Sequence, residues 1–492
     1  MLGTAAAARV RPTLTARQKA LSRAMQYLST RGLAPMLGFS DVLLAGLARD
    51  GGLYVPSVWP RVSPEEIAGF ARLPYAEVAF RIIRPFIGGE IADGELQAMC
   101  RAAYAGFRHP AVAPLTKLAP DRYVLELFHG PTLAFKDVAM QLLAQLMDHV
   151  LARRDGKATI VGATSGDTGA AAIEAFRDRN NIDVFILFPE GRVSPFQQRQ
   201  MTTVGAANVH PIAIRGTFDD CQAIVKGMFG NAPFRDAMAL SGVNSINWAR
   251  ILGQIVYYFT AAAALGAPTR PVSFTVPTGN FGDVFAGYAA KRMGLAIDTL
   301  VIATNVNDIL ARAFATGRYD VRGVTATTSP SMDIQVSSNF ERLLFEAYGR
   351  DGAAVRGLMD DLARTGAFSI AAKPLDAIRA DFVAGRADER EVAEALGATY
   401  RASGFLADPH TAVGLAVAGR FAKKGVPMVT LATAHPAKFP DAVRAAAGVE
   451  PQLPKGFADI LTKPERYATL ANDRQAVEDH IAALTRAATE KA

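Results

Sequence analysis

From about residue 116 onward, short apolar runs rich in β-branched residues alternate with stretches of helical periodicity. The runs predict strands over residues 123–127, 158–161, 183–188, 209–214, 272–276, 300–303 and 428–432. The stretches between them predict helices near residues 137–150, 168–179, 196–203, 248–265 and 283–293. Apolar strands that alternate with helices are typical of a mainly parallel sheet with both faces covered. The pattern therefore predicts an α/β fold.

Two regions depart from this alternation. Residues 25–115 have the pattern of a helical N-terminal module, with a helix start at Ser63-Pro64-Glu65-Glu66 and a further helix over 93–105. Serine is a favoured cap, and proline is favoured at the first helical position. Residues 340–403 are charged and helix-like and contain no convincing strand. We therefore predict a helical insertion at 340–403, and a C-terminal helix over 471–492.

The longest apolar run, residues 251–265, includes Gln254 and Thr260. A membrane-spanning helix needs about 20 apolar residues. We therefore interpret this run as a buried core helix and expect no membrane segment.

Composition and net charge limit the kinds of molecule that the protein is expected to bind. The 492-residue chain is half hydrophobic and one fifth charged, as ordinary globular proteins are. Its formal net charge is +7, but residues 1–24 hold five basic residues and no acid. The remainder is close to neutral, which disfavours nucleic acid as a partner. Residues 1–24, which we expect to be disordered, have two open interpretations: an organelle transit peptide, or a start assigned upstream of Met25.

Cysteine and histidine spacing excludes two classes of site. Cys100 and Cys221 are the only cysteines. Their separation excludes a disulfide framework and a Cys-x-x-Cys site, and favours a reducing, cytoplasmic compartment. The seven histidines lack the spacing of a catalytic zinc site. We therefore predict no metal.

Lys136 is the first candidate for chemistry. It follows a predicted strand and the turn signal Gly130-Pro131, and it stands between Phe135 and an apolar helix. Crowding by apolar groups lowers the pKa of an amine, because burial disfavours the charged form. A neutral amine can condense with an aldehyde to a Schiff base. On local context alone, an ordinary solvated lysine stays the more common alternative.

Two junctions between a strand and a helix share one design. Residues 160–170 and 276–284 each run from an apolar strand through a loop of Gly, Ser, Thr or Asn into a helix. Glycines let backbone approach a ligand, and the free N–H groups of a helix start bind anions. Neither loop matches a dinucleotide fingerprint or a Walker loop. A candidate reactive lysine with two anion loops favours pyridoxal phosphate, with one loop for the cofactor phosphate and the other for a substrate carboxylate.

Eight segments together resemble one family, threonine synthase in its longer bacterial and fungal form. They are MQYLSTRG (25–32), FHGPTLAFKD (128–137), GATSGDTGAAA (162–172), FPEGRVSPFQQRQM (188–201), NSINWARILGQ (244–254), PTGNFGDVFAG (277–287), SPSMDIQVSSNFERLLFE (329–346) and ATAHPAKFP (432–440). The resemblance covers nearly everything after Met25.

The resemblance implies a fold type II pyridoxal-phosphate enzyme, similar to the tryptophan synthase β chain. It would have two lobes of mainly parallel sheet covered by helices, and a helical N-terminal domain. We expect that domain at 25–115 and the catalytic domain at 116–470. The smaller lobe would span roughly 137–240, and the larger lobe the rest. The expected reaction converts O-phospho-L-homoserine and water to L-threonine and phosphate, and we expect a monomer or a weak homodimer.

The resemblance also implies roles for individual residues. Lys136 would hold the cofactor as a Schiff base and act as the catalytic base. The cofactor phosphate would lie among Gly279, Asn280, Phe281, Gly282 and Asp283. Thr433 would face the pyridine nitrogen. The substrate carboxylate and amine would lie along Ser165, Gly166, Asp167 and Thr168.

A second cationic pocket is needed for the phosphate of the substrate. The candidates come from three of the matching segments: Asn247, Arg250, Ser194, Gln198, Arg199, Ser329, Ser331 and Asp333. Two alternatives remain open for the function. One is a phospholyase that releases 2-oxobutyrate and phosphate, and the other is a non-catalytic relative that binds the cofactor.

Overall fold

The computed structural model describes residues 25–488. The expectations for residues 1–24, and for residues 489–492 of the predicted C-terminal helix, lie outside the described residues. The strands in chain order are β1 (Tyr27–Ser29), β2 (Tyr54–Pro56), β3 (Leu115–Ala119), β4 (Arg122–Glu126), β5 (Ala158–Ala163), β6 (Ile182–Pro189), β7 (Val209–Arg215), β8 (Leu240–Ser241), β9 (Val272–Pro277), β10 (Ile297–Thr304), β11 (Arg318–Asp320), β12 (Ala367–Ser369), β13 (Phe382–Arg386), β14 (Met428–Ala432) and β15 (Ala468–Ala471).

The α-helices are numbered in chain order too. They are α1 (Phe39–Ala45), α2 (Pro64–Phe70), α3 (Tyr75–Ile87), α4 (Asp93–Tyr104), α5 (Lys136–Arg153), α6 (Asp167–Phe176), α7 (Pro195–Thr202), α8 (Phe218–Gly230), α9 (Ala232–Ala237), α10 (Trp248–Ala264), α11 (Gly282–Arg292), α12 (Ile309–Thr316), α13 (Phe340–Ala347), α14 (Gly352–Thr365), α15 (Ala372–Asp381), α16 (Glu389–Ser403), α17 (Pro409–Phe421), α18 (Pro440–Ala447) and α19 (Arg474–Leu484).

The larger lobe is built on a six-stranded sheet with the order β13-β10-β9-β14-β4-β3. All of its pairs are parallel except β3 with β4. Every residue of β9 and β14 is buried, as expected for strands covered by helices on both faces. The carboxyl ends of the neighbours β4, β14 and β9 meet at one edge, which is where open parallel sheets bind ligands. The predicted α/β fold is confirmed.

The smaller lobe holds a five-stranded parallel sheet with the order β15-β7-β6-β5-β8. Its last strand, β15, comes from residues 468–471, and Arg486 after α19 donates to Asp183 of β6 at 2.8 Å. The chain therefore returns to this lobe at its end. Our boundary of 137–240 was wrong in this respect, because an edge strand of four half-buried or exposed residues carries little apolar signal.

The stretch 340–403 is mainly helical, as predicted, but the expectation that it lacks strands was wrong. It contains β12, which pairs with β11, and β13, which extends the six-stranded sheet parallel to β10. Only Phe382 of β13 is fully buried, and the strand includes Gly385. Edge strands with one buried residue have a pattern that periodicity alone does not detect.

The N-terminal module has helices α1 to α4 and also the two-stranded antiparallel sheet of β1 and β2, which the sequence did not predict. The predicted helix start at Ser63 is confirmed, since its Oγ accepts from Glu66 N at 3.2 Å. The module packs on α10, where the Trp248 ring contacts Tyr27, Trp59 and Phe86.

Helix α10 is buried along nearly its whole length, which confirms its interpretation as a core helix. None of the helices among residues 25–488 combines the length and apolarity needed to cross a bilayer.

Candidate active site

Lys136 is the first residue of α5 and lies at the carboxyl edge of the larger sheet. It is buried, with 8% of its surface exposed, which favours the reactive-lysine interpretation over an ordinary solvated lysine. Its Nζ lies 3.5 Å from Asp167 Oδ2 and 5.0 Å from the centroid of the Phe135 ring. Burial lowers the pKa of Lys136, and the cations of Lys438 and Arg250 add to this against the opposing charge of Asp167. The amine is therefore closer to its free base than a surface lysine would be.

The loop before Lys136 is held by the neighbouring carboxylate. Asp137 accepts from Thr132 N at 2.8 Å and from Thr132 Oγ1 at 2.6 Å. Burial raises the pKa of Asp137 to about 6, against the hydrogen bonds from Thr132. These bonds fix the turn that presents Lys136.

The strand end that follows β14 lies directly against this loop. Phe135 N donates to Thr433 O at 2.8 Å, and Ala134 forms a bridge with Ala434. Thr433 is buried, and its N–H donates to Thr411 Oγ1 at 3.1 Å. Two sequence candidates, Lys136 and Thr433, are thus brought together although they are far apart in the chain.

The loop between β5 and α6 has the geometry of an anion site. Thr164 Oγ1 accepts from Gly166 N and Gly169 N at 3.0 and 2.9 Å. Gly166 has a φ of +141°, and a Cβ there would lie 2.6 Å from the Gln197 side chain. L side chains rarely adopt this φ, so a larger residue would strain the loop. The first-turn N–H groups of α6 at Asp167 and Thr168 have no acceptor within the helix, as at any helix start.

Asp167 lies at the centre of a buried polar cluster that the sequence did not predict. Its Oδ1 accepts from Lys438 Nζ at 2.6 Å and from Gln197 Nε2 at 2.8 Å. Lys438 also donates to Thr132 O at 2.9 Å, and Gln200 Nε2 donates to the same oxygen at 3.0 Å. Burial would raise the pKa of Asp167, but the ammonium groups of Lys438 and Lys136 outweigh it and hold this pKa well below its usual range.

Three of these residues, Gln197, Gln200 and Lys438, were missed as site residues. Lys438 follows a predicted strand end by six positions and lies in the segment 432–440, which resembles the family, and these were the signals available. Nothing in the local pattern says that its side chain turns inward.

The loop between β9 and α11 is tied back to the segment after Asp333. Gly279 O accepts from Ser337 Oγ at 2.6 Å, and Asn280 O accepts from Asn339 N and Nδ2 at 3.0 and 2.9 Å. Phe281 adopts a left-handed φ of 63° just before Gly282 starts α11. With its carbonyls held on one side, the loop can present N–H groups to a phosphate.

The side chain of Asp283 turns toward α10, so it does not itself bind a phosphate. Its Oδ1 accepts from the hydroxyls of Tyr257 and Tyr258, the latter at 3.0 Å. Its Oδ2 is buried and has no hydrogen-bond partner among residues 25–488. Burial raises the pKa of Asp283 to about 7, against the two tyrosine bonds.

Arg250 is the candidate phosphate ligand that lies near Lys136. It is 3% exposed, its Nη1 donates to Val243 O at 3.3 Å, and its Nε has no partner in the described part of the chain. Burial lowers the pKa of Arg250 to about 10. A buried guanidinium with an unused donor is suited to an anionic ligand.

The other phosphate candidates have protein partners. Asn247 caps α10 through Ala249 N and donates to Leu43 O, while Ser194 caps α7. Gln198 and Arg199 turn to the segment around residues 460–465, where Gln198 donates to Glu465 at 3.2 Å and Arg199 to Lys463 O at 3.0 Å.

The candidates from 329–333 form part of a second buried network. Asp333 accepts from Thr327, Asn305 and Asn307, and Ser329 accepts from Asn305 at 3.0 Å. Ser331 lies closer to the loops, since its N–H donates to His410 Nε2 at 3.2 Å. Its carbonyl oxygen is 2.9 Å from where a Cβ on Gly279 would be.

Three family models match the chain. They are described as Threonine synthase N terminus, over residues 26–104, Pyridoxal-phosphate dependent enzyme, over 111–373, and Threonine synthase, C-terminal, over 411–481.

Curated relatives match along nearly their whole length. A threonine synthase from Pseudomonas aeruginosa is 53% identical over 92% of this chain and 97% of its own. One from Schizosaccharomyces pombe is 44% identical over 87% of this chain and 90% of its own.

Solved structures show the same likeness. The pyridoxal-phosphate-bound threonine synthase of Brucella melitensis superposes with a TM-score of 0.92 at 61% identity, covering 94% of this chain and 100% of that one. Yeast threonine synthase has a TM-score of 0.89 at 39% identity, covering 93% and 98%.

Proposed function

The chain belongs to the threonine synthase family, and on that premise we propose how its residues carry out the conversion of O-phospho-L-homoserine and water to L-threonine and phosphate. The substrate loses phosphate at Cγ and gains a hydroxyl at Cβ, so protons must leave and return at the carbons of its side chain. Bound pyridoxal phosphate supplies the electron sink for this chemistry. Proton transfer and binding are left to the residues of the chain.

The described residues fit this cofactor. Lys136 is a buried amine with a lowered pKa, as condensation with an aldehyde requires. The loop from Gly279 to Gly282 ends at a helix start of the kind that binds phosphate. Thr433, next to Phe135, offers a neutral hydroxyl for a pyridine nitrogen. Asp283 would help shape the phosphate loop through its tyrosine bonds.

Lys136 is the proton carrier of the reaction. Once free, its amine takes the proton from Cα and then one from Cβ, and it returns one proton to Cγ after phosphate has left and one to Cα at the end. The hydroxyl at Cβ comes from water, whose other proton goes to the released phosphate. Its contact with the Asp167 carboxylate is the observation that carries this assignment, because the anion stabilises the ammonium form whenever Lys136 holds a proton. Burial favours the free amine, so both forms are accessible.

The substrate is held at its two charged ends. The N–H groups around Ser165, Asp167 and Thr168 bind the carboxylate, as helix starts bind anions. Arg250 binds the substrate phosphate through its Nε, which no described residue uses. Ser331, whose carbonyl packs against Gly279, would add its hydroxyl to the phosphate site.

A product assay on cofactor-loaded enzyme tests this function. We expect threonine and phosphate in equal amounts from O-phospho-L-homoserine, with turnover abolished in Lys136→Ala. Lys136→Arg is the matched control, because it keeps the charge but offers no amine for condensation, and it should be inactive too. Phosphate matched by 2-oxobutyrate instead of threonine would contradict the proposal.

We also infer the cellular location and the assembly of the enzyme. The substrate is a small molecule, and Cys100 and Cys221 are unpaired and buried, which supports a cytoplasmic location. We infer a monomer or weak homodimer, to be checked by sedimentation at several concentrations. We also infer that residues 25–115 form an N-terminal domain and that the catalytic domain begins at about 116.

A further inference from the structure

Two buried lysines share one carboxylate in the active site. Lys438 Nζ lies 2.6 Å from Asp167 Oδ1, and Lys136 Nζ lies 3.5 Å from Asp167 Oδ2. The Lys438 side chain has no exposed surface, and that of Asp167 is 4% exposed. Removing one partner from such a buried group leaves an uncompensated charge, which proteins rarely tolerate.

More cationic than anionic groups lie around Asp167 and Lys136. Lys136 faces Asp167 from α5 and Lys438 faces it from the turn after β14, while Arg250 of α10 lies within electrostatic reach of Lys136. Asp137, which follows Lys136 on α5, is taken up by Thr132. His410 lies within electrostatic reach of Asp167, and His435 within reach of Lys438. Cations therefore outnumber the one carboxylate that contacts Lys136.

Lys438 also joins the two lobes. Its second hydrogen bond is to Thr132 O, on the loop between β4 and α5, 306 residues away in the chain. Asp167 belongs to the helix that follows β5 in the smaller sheet. A single ammonium thus connects the loop that carries Lys136 to the loop that holds the substrate carboxylate.

We propose that Lys438 is a positioning residue, which shares the Asp167 carboxylate with Lys136 and so sets how strongly the Lys136 nitrogen retains its proton. This rests on the assignment of Lys136 as the reactive amine. Lys438 competes with Lys136 for the same anion, so the proton on Lys136 is released more readily while Lys438 is charged. Asp167 acts in the opposite direction.

Loss of Lys438 and loss of Asp167 should shift the Lys136 titration in opposite directions. A purely structural role for Lys438 would not produce this pair of shifts. The readout is the pH titration of the visible absorbance of the cofactor–Lys136 linkage in the holoenzyme. Lys438→Met removes a cation, so its titration midpoint should rise by about 1 pH unit. Asp167→Asn removes the anion, so its midpoint should fall by about 1–3 pH units.

Further variants separate charge from packing. Lys438→Gln keeps a hydrogen-bond donor without the charge and should also raise the midpoint. Gln197→Leu removes a neutral bond to the same carboxylate and should move it much less. Lys423→Met, which breaks the exposed pair with Asp298, should leave it unchanged.

Each outcome decides the proposal. It is overturned if both Lys438 variants fold and neither raises the midpoint, or if Asp167→Asn does not lower it. Should both Lys438 variants fail to fold, the double variant Lys438→Met/Asp167→Asn removes the Lys438 cation together with the anion that it pairs with. A folded double variant titrating above Asp167→Asn supports the proposal, whereas an equal midpoint or an unfolded double variant overturns it. Failure of the proposed function has a different signature, namely a visible linkage that still forms in Lys136→Ala.

Discussion

At the residue scale, burial has opposite outcomes for the carboxyl groups of Asp167 and Asp283. Asp167 faces two ammonium groups, so it is ionised despite its burial. Within residues 25–488, the side-chain partners of Asp283 are tyrosine hydroxyls alone, and burial raises its pKa to about 7. Neighbouring charge decides which of the two carboxyls is an anion at neutral pH.

Asp283 should make the apoprotein less stable as the pH rises. Its pKa is 3.8 before folding and about 7 after it, so in this window the folded state binds the extra proton and the free energy of unfolding falls with pH. Asp283→Asn cannot ionise, so its stability relative to wild type should increase between about pH 4.5 and about pH 6.5, by about 1.4 kcal/mol for each pH unit, and level off above about pH 7. Denaturant unfolding at several pH values measures this.

Asp298→Asn is the control, because the burial of Asp298 is outweighed by its hydrogen bonds, that from Lys423 above all, which lower its pKa. The ionised Asp298 carboxylate stabilises the folded protein above the pKa of the unfolded state. This stabilisation is lost only as the pH falls below about 4. If the difference in the free energy of unfolding between wild type and Asp283→Asn stays constant with pH, then Asp283 is not protonated in the folded state.

Arg250→Ala should weaken substrate binding more than cofactor binding. A charge-assisted hydrogen bond contributes about 1.5–3 kcal/mol, so KM for O-phospho-L-homoserine should rise about 10- to 100-fold. Initial rates give KM, and visible absorbance gives cofactor content. Arg199→Ala is the matched control, since Arg199 donates to backbone carbonyls around residue 463 and should leave KM unchanged. An unchanged KM in Arg250→Ala would remove Arg250 from the phosphate site.

At the element scale, one aspartate organises the start of α17 beneath the site. Asp408 caps the helix by accepting from His410 N at 2.9 Å and Thr411 N at 3.1 Å. It also bonds to His410 Nδ1 at 2.8 Å and to the Thr411 hydroxyl. Because Thr411 Oγ1 in turn accepts from Thr433 N, the cap supports the strand end next to Lys136.

Asp408→Ala should therefore lower the free energy of unfolding by more than the loss of an ordinary helix cap does. Loss of a cap costs about 0.5–2 kcal/mol, and each buried donor left unsatisfied adds about 1–3 kcal/mol. We expect at least about 2 kcal/mol in denaturant unfolding. Asp388→Ala, at the half-buried cap of α16, should cost only about 1 kcal/mol. Equal losses in the two variants would show that the His410 and Thr411 bonds add nothing.

The elements that the sequence revealed are those with a strong local signal. All seven predicted strands are present, because buried parallel strands are continuous apolar runs. Helices α8, α9, α12, α17 and α18 were not predicted, although α17 begins with the cap signal Asp408-Pro409. Strands β13 and β15 were missed because an edge strand is only partly buried.

At the scale of the whole molecule, Arg342 joins the N-terminal module to the phosphate loop. It is fully buried and donates to Tyr54 O of β2 at 3.0 Å and to Ile246 O at 2.6 Å. A further bond reaches Asn339 Oδ1, and Asn339 holds the carbonyl of Asn280. The salt bridge from Arg31 to Glu341, at 3.0 Å, lies next to it.

Arg342→Met should reduce both stability and cofactor affinity. Bonds from a charged donor contribute about 1.5–3 kcal/mol each, so we expect a loss of about 3 kcal/mol or more. The freed Asn339 should also loosen the loop at Asn280 and weaken cofactor binding. Unfolding midpoints and a cofactor titration measure the two effects. Arg379→Met is the control, since Arg379 is exposed, bonds to Phe314 O and should cost less than about 1 kcal/mol.

The sequence by itself determined the alternating α/β pattern, the glycine loops at two strand ends and the position of Lys136 between a turn and a helix. Each of these signals lies within about fifteen consecutive residues, where apolar periodicity, caps and turn residues act directly. Only the tertiary structure decided that Lys438 reaches Asp167, that Asp283 turns to Tyr257, and that Gln198 turns away to Glu465. Such pairings join distant parts of the chain, and they depend on how the sheets and helices pack, which local pattern does not encode.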